Sequence, residues 1–403
     1  MSGPIMKDAL FQAHLDRTMS YATYAGADVA ECRSAAARIQ GSDIHGWRCE
    51  WLLAAGRAKT AAMEAVSAGD PATARDAWFR ASNYFRTAGV FTLDRHGVRR
   101  LRDTHAAEVA AFRRGAALLE RPPLELEIPY EDTTLPGYFF SAGEGARPTL
   151  IVTNGYDGTA EELYFNNAAA GLAHGFHVLV FDGPGQGSMI IERGVPFRPD
   201  WERVITPVVD HALTLPGVDP DALVLVGLSF GGYLAPRAAT AEPRIAACVS
   251  DCGPYDLMDV TAARFPGPLG RGVRNSSGLL HRIACRLATK VMRKPTAGWA
   301  LRRNLLVHDV ESVDEFFELS RHYTLRGREG LIFCPTFVCS GELDDLSAAA
   351  RQLAARLGCE HEYVEFRAAD GAGEHCHAGA RTQYHERVFT WLDHVLTADR
   401  AVA

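Results

Sequence analysis

Apolar positions along the chain follow two different periods, and the change from one to the other divides it. Up to about residue 120 the period is helical. In "DPATARDAWFRASNYFRTA", Ala74, Ala77, Trp78, Ala81, Phe85 and Ala88 recur at three- and four-residue steps, which lines one helix face with apolar side chains. Asp70 stands where an N-cap belongs, Pro71 follows it in the first helical position, and Gly89 is a stop signal. Residues 44–68 carry a similar pattern, so the two segments are expected to pair as an antiparallel helical hairpin. A further helix is expected from about Arg95 to Leu119. It ends before Pro122-Pro123, which mark the boundary between a helical cap domain, 1–122, and a second domain, 123–403.

Beyond the prolines the pattern changes to strands alternating with helices. "LELEIPY" and "LPGYFFSAG" are short alternating strands around a turn. "TLIVTNG", "HVLVFDG", "ALVLVGLS", "AACVSDCG" and "TFVCSGE" are apolar runs that each end in Gly or a small polar residue. Runs buried on both faces predict an α/β domain built on a mostly parallel sheet flanked by helices. Chemistry in such sheets sits at the carboxyl ends of the strands. An insertion at about 254–328 separates two of the strands. Between Arg264 and Arg303 it has many Lys and Arg and no Asp or Glu, and it is expected to form lid helices with a solvated basic face.

Composition narrows the class without changing this picture. Of 403 residues, 47% are apolar and 23% charged, as in ordinary soluble proteins, and a net charge of −7 gives no overall attraction to nucleic acid or membrane. No apolar run approaches the ~20 residues a membrane span needs. Charges scattered through "MSGPIMKDALFQAHLDRTMS" argue against a signal peptide, and nine dispersed cysteines read as reduced thiols of a cytoplasmic protein.

The candidate chemistry centres on "VLVGLSFGGYLAPRAA". Gly227-Leu228-Ser229-Phe230-Gly231 follows an apolar strand and precedes a helical pattern, the setting of a serine nucleophile on a strained strand-to-helix turn. Bulky residues in place of Gly227 or Gly231 would clash with that geometry. A serine hydroxyl needs a base, and the base needs an orienting acid, which in this architecture follow in the order Ser, acid, His. "TFVCSGELDD" offers Asp344 and Asp345, of which Asp344 has the better phase and Asp345 reads as a solvated helix cap. "RAADGAGEHCHAGA" offers His375 on a flexible Gly-rich segment, with His377 as a packing or supporting residue, while His361 lies within the preceding strand. The Phe230 amide is the first oxyanion donor. The Tyr156 amide in "TNGYDG" is the second, on a loop that lacks tandem glycines.

Rival chemistries are poorly supported. The glycines of "VLVFDGPGQG" resemble a dinucleotide fingerprint, but the third is misplaced and no immediate helix is expected after it. "EHCH" lacks a second ligand pair at metal-site spacing, so neither cofactor nor metal is expected. Trp47, Trp51, Trp78 and Phe85 are expected in a core rather than around a ligand.

"FDGPGQG", "FRPDWERVITPVVDHAL", "GLSFGGYLAPRAA" and "GAGEHCHAGA" together resemble a branch of the α/β-hydrolase superfamily that includes 2,6-dihydroxypseudooxynicotine hydrolase and the fungal heptaketide hydrolases of pigment biosynthesis. The resemblance covers nearly the whole chain. It implies an α/β-hydrolase fold after an N-terminal helical domain, cleavage of a carbon–carbon bond beside a carbonyl, and a cofactor-free triad. Carried onto this sequence, Ser229 is the nucleophile, Asp344 the acid and His375 the base. Relatives in polyketide pathways eliminate or transfer an acyl group with the same machinery. The expected function is therefore hydrolysis of a ketone or ester in an aromatic or polyketide-like small molecule. Acetate elimination, internal acyl transfer, or a non-catalytic binding role on the same scaffold are the alternatives. A homodimer is expected from the apolar helical domain and the resemblance.

Overall fold

The computed structural model describes residues 4–92 and 98–402. Helices dominate the first part: α1 (Ala9–Ser20), α2 (Val29–Ala36), α3 (Ile44–Ser67), α4 (Pro71–Gly89) and α5 (Val98–Ala116). Each of the first four starts where an aspartate side chain accepts amide protons of the first turn. Asp70, for example, takes the Thr73 N–H at 3.0 Å, a cap worth about 0.5–2 kcal/mol. The start expected at Arg95 lies outside the described residues, and α5 ends at Ala116, short of Leu119.

The hairpin of α3 and α4 closes over an aromatic core in which Trp51 lies 5.5 Å from Tyr84, and Trp47 meets Phe11 at a tilt and Phe91 edge-on. Trp47, Trp51 and Trp78 are buried there as expected, whereas Phe85 is only half-buried. A second aromatic layer joins the helices to the sheet domain: Phe112 meets Tyr138 at 5.1 Å and Phe79 meets Tyr164 at 4.9 Å.

Eight strands form one sheet in the order β1-β2-β4-β3-β5-β6-β7-β8. They are β1 (Leu124–Tyr130), β2 (Thr133–Phe140), β3 (Arg147–Thr153), β4 (His177–Phe181), β5 (Val218–Leu228), β6 (Ile245–Asp251), β7 (Thr336–Gly341) and β8 (His361–Phe366). β1 and β2 are antiparallel, and from β4 through β8 every pairing is parallel. β4 and β7 are buried at every position, because helices cover both faces of the sheet. Among the described residues no helix is long and apolar enough to cross a membrane.

Between β6 and β7 five helices form the lid, from Leu257–Ala263 to Val313–Ser320, with a small core around Phe316 and Phe317. Lid side chains also reach out of it. Trp299 inserts into the helical region, donates its indole N–H to the Val90 carbonyl at 2.9 Å, and packs edge-on against His14 and Phe91.

Two details depart from expectation. A short helix, Gly187–Ile191, does follow the "FDGPGQG" turn. Its amino end is filled by Asp182, whose carboxylate takes the N–H groups of Ser188 (2.7 Å) and Ala160 (2.8 Å), so the place a phosphate would need is already held by an anion. The basic stretch of the lid is also not wholly solvated. The Arg303 side chain is largely covered, its guanidinium 4.4 Å from the Trp299 ring and 4.9 Å from the Tyr156 ring.

Candidate active site

Ser229 sits at the corner between β5 and the helix Gly231–Ala239, with φ +61°, a left-handed conformation that costs a non-glycine residue on the order of 1–3 kcal/mol. The neighbouring glycines make the corner possible. A Cβ on Gly227 would fall 1.9 Å from the Gly231 carbonyl oxygen, and one on Gly231 would fall 2.5 Å from the Thr153 oxygen. The Ser229 N–H is held by the Asp251 carbonyl at 2.8 Å, and its own carbonyl accepts the Gly232 N–H at 2.8 Å. A sharp turn bonded on both sides leaves the hydroxyl free to project from the sheet edge.

Two loops from later in the chain meet that hydroxyl. His375 Nε2 lies 2.8 Å from Ser229 Oγ, and His375 Nδ1 lies 2.7 Å from Asp344 Oδ2. Asp344 is further fixed by the Ser347 hydroxyl (2.6 Å) and the Leu346 N–H (3.0 Å). The two loops are stitched together where the Leu343 N–H bonds the Gly373 carbonyl at 2.8 Å, and Gly341 lacks the Cβ that would strike that same oxygen at 2.5 Å. Burial draws the His375 imidazole down, but the charge and hydrogen bond of Asp344, with Cys252 and Asp251 farther off, carry it up to about 9. Asp345 is exposed in a turn and caps no helix, since the next one begins at Ala350. His361 is exposed at the start of β8, where its Nδ1 faces the Cys359 carbonyl.

The loop after β3 passes directly over the serine. A Cβ on Gly155 would meet Ser229 Cβ at 2.8 Å and Oγ at 2.9 Å, so only a bare backbone fits. Among the described residues neither the Tyr156 N–H nor the Phe230 N–H donates to a protein acceptor. The two residues also stack, ring centroids 4.2 Å apart and 13° from parallel. The Tyr156 hydroxyl reaches His308 Nε2 (3.0 Å), whose Nδ1 faces the Tyr323 hydroxyl (3.1 Å). Burial and the Arg303 charge keep His308 down at about 3, which suits a neutral ring giving one hydrogen bond and receiving one.

The next residue, Asp157, is gripped by Arg17 of α1 (3.0 Å) and Arg303 of the lid (3.8 Å). Burial pushes its carboxyl up, but the two guanidinium groups hold it well below the usual carboxylate range. The loop over Ser229 is thus fastened to both the helical region and the lid. Beside Tyr156, and not including Ser229, a narrow cavity of about 30 Å³ runs between Leu101 and His105 of α5 and Thr159 and Ile190 of the sheet domain.

Beneath the histidine loop lies a group that local sequence pattern does not reveal. Asp251, at the end of β6, faces His377 Nε2 (3.2 Å) and Arg381 (2.7 Å), all three buried. Cys252 and Cys339 each bring a sulfur within 3.6 Å of His377 Nε2. Burial lowers His377, yet Cys252 and Asp251 together carry it up to about 10. His377 therefore supports the loop from below while its neighbour His375 faces the serine.

Residues 150–388 match the profile of the alpha/beta hydrolase family, and residues 37–260 match that described as esterase FrsA-like. Hydrolase acrC of Aspergillus aculeatus is 34% identical over 409 residues, covering 94% of each chain. The 20-hydroxy-prefusarin hydrolase FUS2 of Gibberella moniliformis is 32% identical over 96% of each, and hydrolyase poxO of Penicillium oxalicum is 31% identical over 98% of this chain and 99% of its own. The solved structure of 2,6-dihydroxy-pseudo-oxynicotine hydrolase superposes with a TM-score of 0.73 at 22% identity, over 94% of this chain and 96% of that one, a likeness of fold.

Proposed function

The chain belongs to the alpha/beta hydrolase family, and we propose that it is a serine hydrolase in which Ser229 attacks the carbonyl of a ketone or ester. His375 takes the Ser229 proton through Nε2 as Oγ adds to the carbonyl carbon. Asp344 fixes the ring by accepting its Nδ1–H and stabilises the imidazolium that forms. The amides of Phe230 and Tyr156 receive the oxyanion of the tetrahedral intermediate. Collapse of that intermediate breaks the carbon–carbon or carbon–oxygen bond, and the imidazolium protonates the departing carbanion or alkoxide. Water, deprotonated by His375, then releases the acyl group from Ser229 as a carboxylic acid.

The observation that carries this reading is the unbroken hydrogen-bonded relay from Ser229 Oγ through His375 to Asp344 at 2.8 and 2.7 Å, built on a serine with φ +61°. The names of the relatives, among them a 20-hydroxy-prefusarin hydrolase, support a polyketide-like or aromatic metabolite as substrate. A relative named a hydrolyase supports a second reading, in which His375 removes a proton from carbon, a carbon–carbon double bond forms, and a carboxylate such as acetate leaves with the electrons of its carbon–oxygen bond, without esterifying Ser229. All nine cysteines are free thiols, in keeping with a reducing cytoplasm.

The test is Ser229→Ala together with turnover in ¹⁸O water. Hydrolysis requires that the variant fold, lose fluorophosphonate labelling and lose turnover, and that the native enzyme place solvent oxygen in a carboxylate product. Turnover within tenfold of native in the variant rejects the nucleophile, and an unlabelled product favours elimination.

A further inference from the structure

The residues around "EHCH" have no second pair of metal ligands at local spacing, but the fold brings a further donor to His375 and Cys376 from more than 120 positions earlier in the chain. Cys252, just past the end of β6, lies beneath the loop that carries His375 and Cys376. The Cys252 sulfur, the Cys376 sulfur and a His375 ring nitrogen all lie within 4.8 Å of one another. Cys376 Sγ stands 3.5 Å from His375 Nε2. Tetrahedral zinc, with Zn–S of about 2.3 Å and Zn–N of about 2.0 Å, sets its sulfur and nitrogen ligands roughly 3.6 Å apart.

We propose that Cys252, Cys376 and His375 form a binding site for a soft divalent cation of the zinc class, and that filling it silences Ser229. Two sulfurs and an imidazole nitrogen are the donor set such a cation prefers. The outer partner is also present: Asp344 accepts the Nδ1–H of His375 at 2.7 Å, the carboxylate–histidine arrangement that orients a zinc ligand and leaves Nε2 as the donor. Nε2 has a single lone pair, and in the metal-free chain that lone pair faces Ser229 Oγ at 2.8 Å. Once it is given to a cation it cannot take a proton from serine. Water can reach the site to supply a fourth ligand, since the His375 side chain is 41% exposed. The neighbouring group of Asp251, Cys339 and His377 is a poorer host, since Arg381 already sets a positive charge 2.7 Å from Asp251.

The silencing rests on the role proposed for His375, whereas the binding does not, and the experiment separates them. Metal-free, phosphine-reduced protein is titrated with Co²⁺, then Zn²⁺, while the near-ultraviolet thiolate-to-cobalt band is followed. Fluorophosphonate labelling of Ser229 is measured by intact mass in parallel. We expect the band to saturate at one equivalent, Zn²⁺ to displace it, and labelling to slow at least about tenfold until a chelator restores it. Cys376→Ser should weaken Co²⁺ binding beyond the roughly 10–100-fold that loss of an outer-sphere partner costs. Cys252→Ser should do the same, and if that buried substitution prevents folding, Cys376→Ala carries the comparison. No band at one equivalent, or a band unchanged in the Cys376 variants, overturns the site. A band with no labelling of Ser229 even in metal-free protein keeps the site and overturns the serine reading instead.

Discussion

The backbone carbonyl of Asp251 accepts the N–H of Ser229 at 2.8 Å, so the last residue of β6 fixes the corner at which β5 turns. The carboxylate of the same residue points the other way, to His377 at 3.2 Å and Arg381 at 2.7 Å, beneath the loop that bears His375. One residue therefore sets the spacing between the serine and the histidine loop. Asp251→Asn keeps the carbonyl but removes the charge opposite Arg381. Breaking such a buried pair costs about 3–5 kcal/mol. A urea unfolding midpoint that falls accordingly, with kcat down about 100-fold through misplacement of His375, is the expected result. An unchanged midpoint would show that Asp251 is not the tie.

Gly155 offers a sharper test of the serine's surroundings. An added methyl would stand 2.8 Å from Ser229 Cβ, close enough to turn the hydroxyl away from His375. Gly155→Ala is expected to lower kcat by about 100-fold or more while costing only about 1–3 kcal/mol in stability. Kinetics and thermal unfolding on the same sample read both.

In the proposed mechanism His375 acts as a base only when neutral, and the pH profile follows from its titration. Facing it are Asp344, Ser229, Cys376, Cys252 and Asp251; burial lowers it, but Asp344 above all, with Cys252 and Asp251, raises it from 6.5 to about 9. With its side chain 41% exposed, water screens part of that charge, so kcat/KM should climb with a midpoint between 6.5 and 9. Stability runs the opposite way. A folded-state value above the unfolded one gives a contribution that is complete below 6.5 and is lost as pH rises toward 9. An activity limb below 6.5 would contradict the assignment.

Trp299 joins the lid to the helical region through its bond to Val90 and its contacts with His14 and Phe91. Trp299→Ala should cost about 3–5 kcal/mol where that packing is lost. The lid should then be cut faster within 254–328 under limited proteolysis, while the sheet domain stays intact. Equal cleavage of native and variant protein would mean the lid is held elsewhere.

The parts legible in the sequence are those whose physics is local. Gly227 and Gly231 flank Ser229 because the corner admits no Cβ, and that requirement is visible within five residues. The buried strands show as apolar runs because both faces of the sheet are covered. That Asp344 and His375 meet at Ser229 can be anticipated from their order after the elbow and from the turns they occupy. Relations across the fold leave no such mark. Asp251 and Cys252 look like the end of one more strand until His377 and Arg381 arrive beside them from more than 120 positions away. Arg303 reads as one charge in a basic stretch, and only the fold brings Trp299, Tyr156 and Asp157 around it. The short helix after Gly187 escapes the sequence pattern because its capping anion, Asp182, precedes the glycines rather than starting the helix.

The relay to Ser229 spans 146 positions of chain, from the serine to His375. During synthesis at roughly 5–20 residues per second, the strained corner leaves the ribosome about 7–30 s before its histidine. Arg381, which braces that histidine's loop against Asp251, comes later still. In the proposed mechanism the nascent polypeptide therefore carries Ser229 without its base for that interval, and acylation of the hydroxyl by carbonyl compounds goes unassisted.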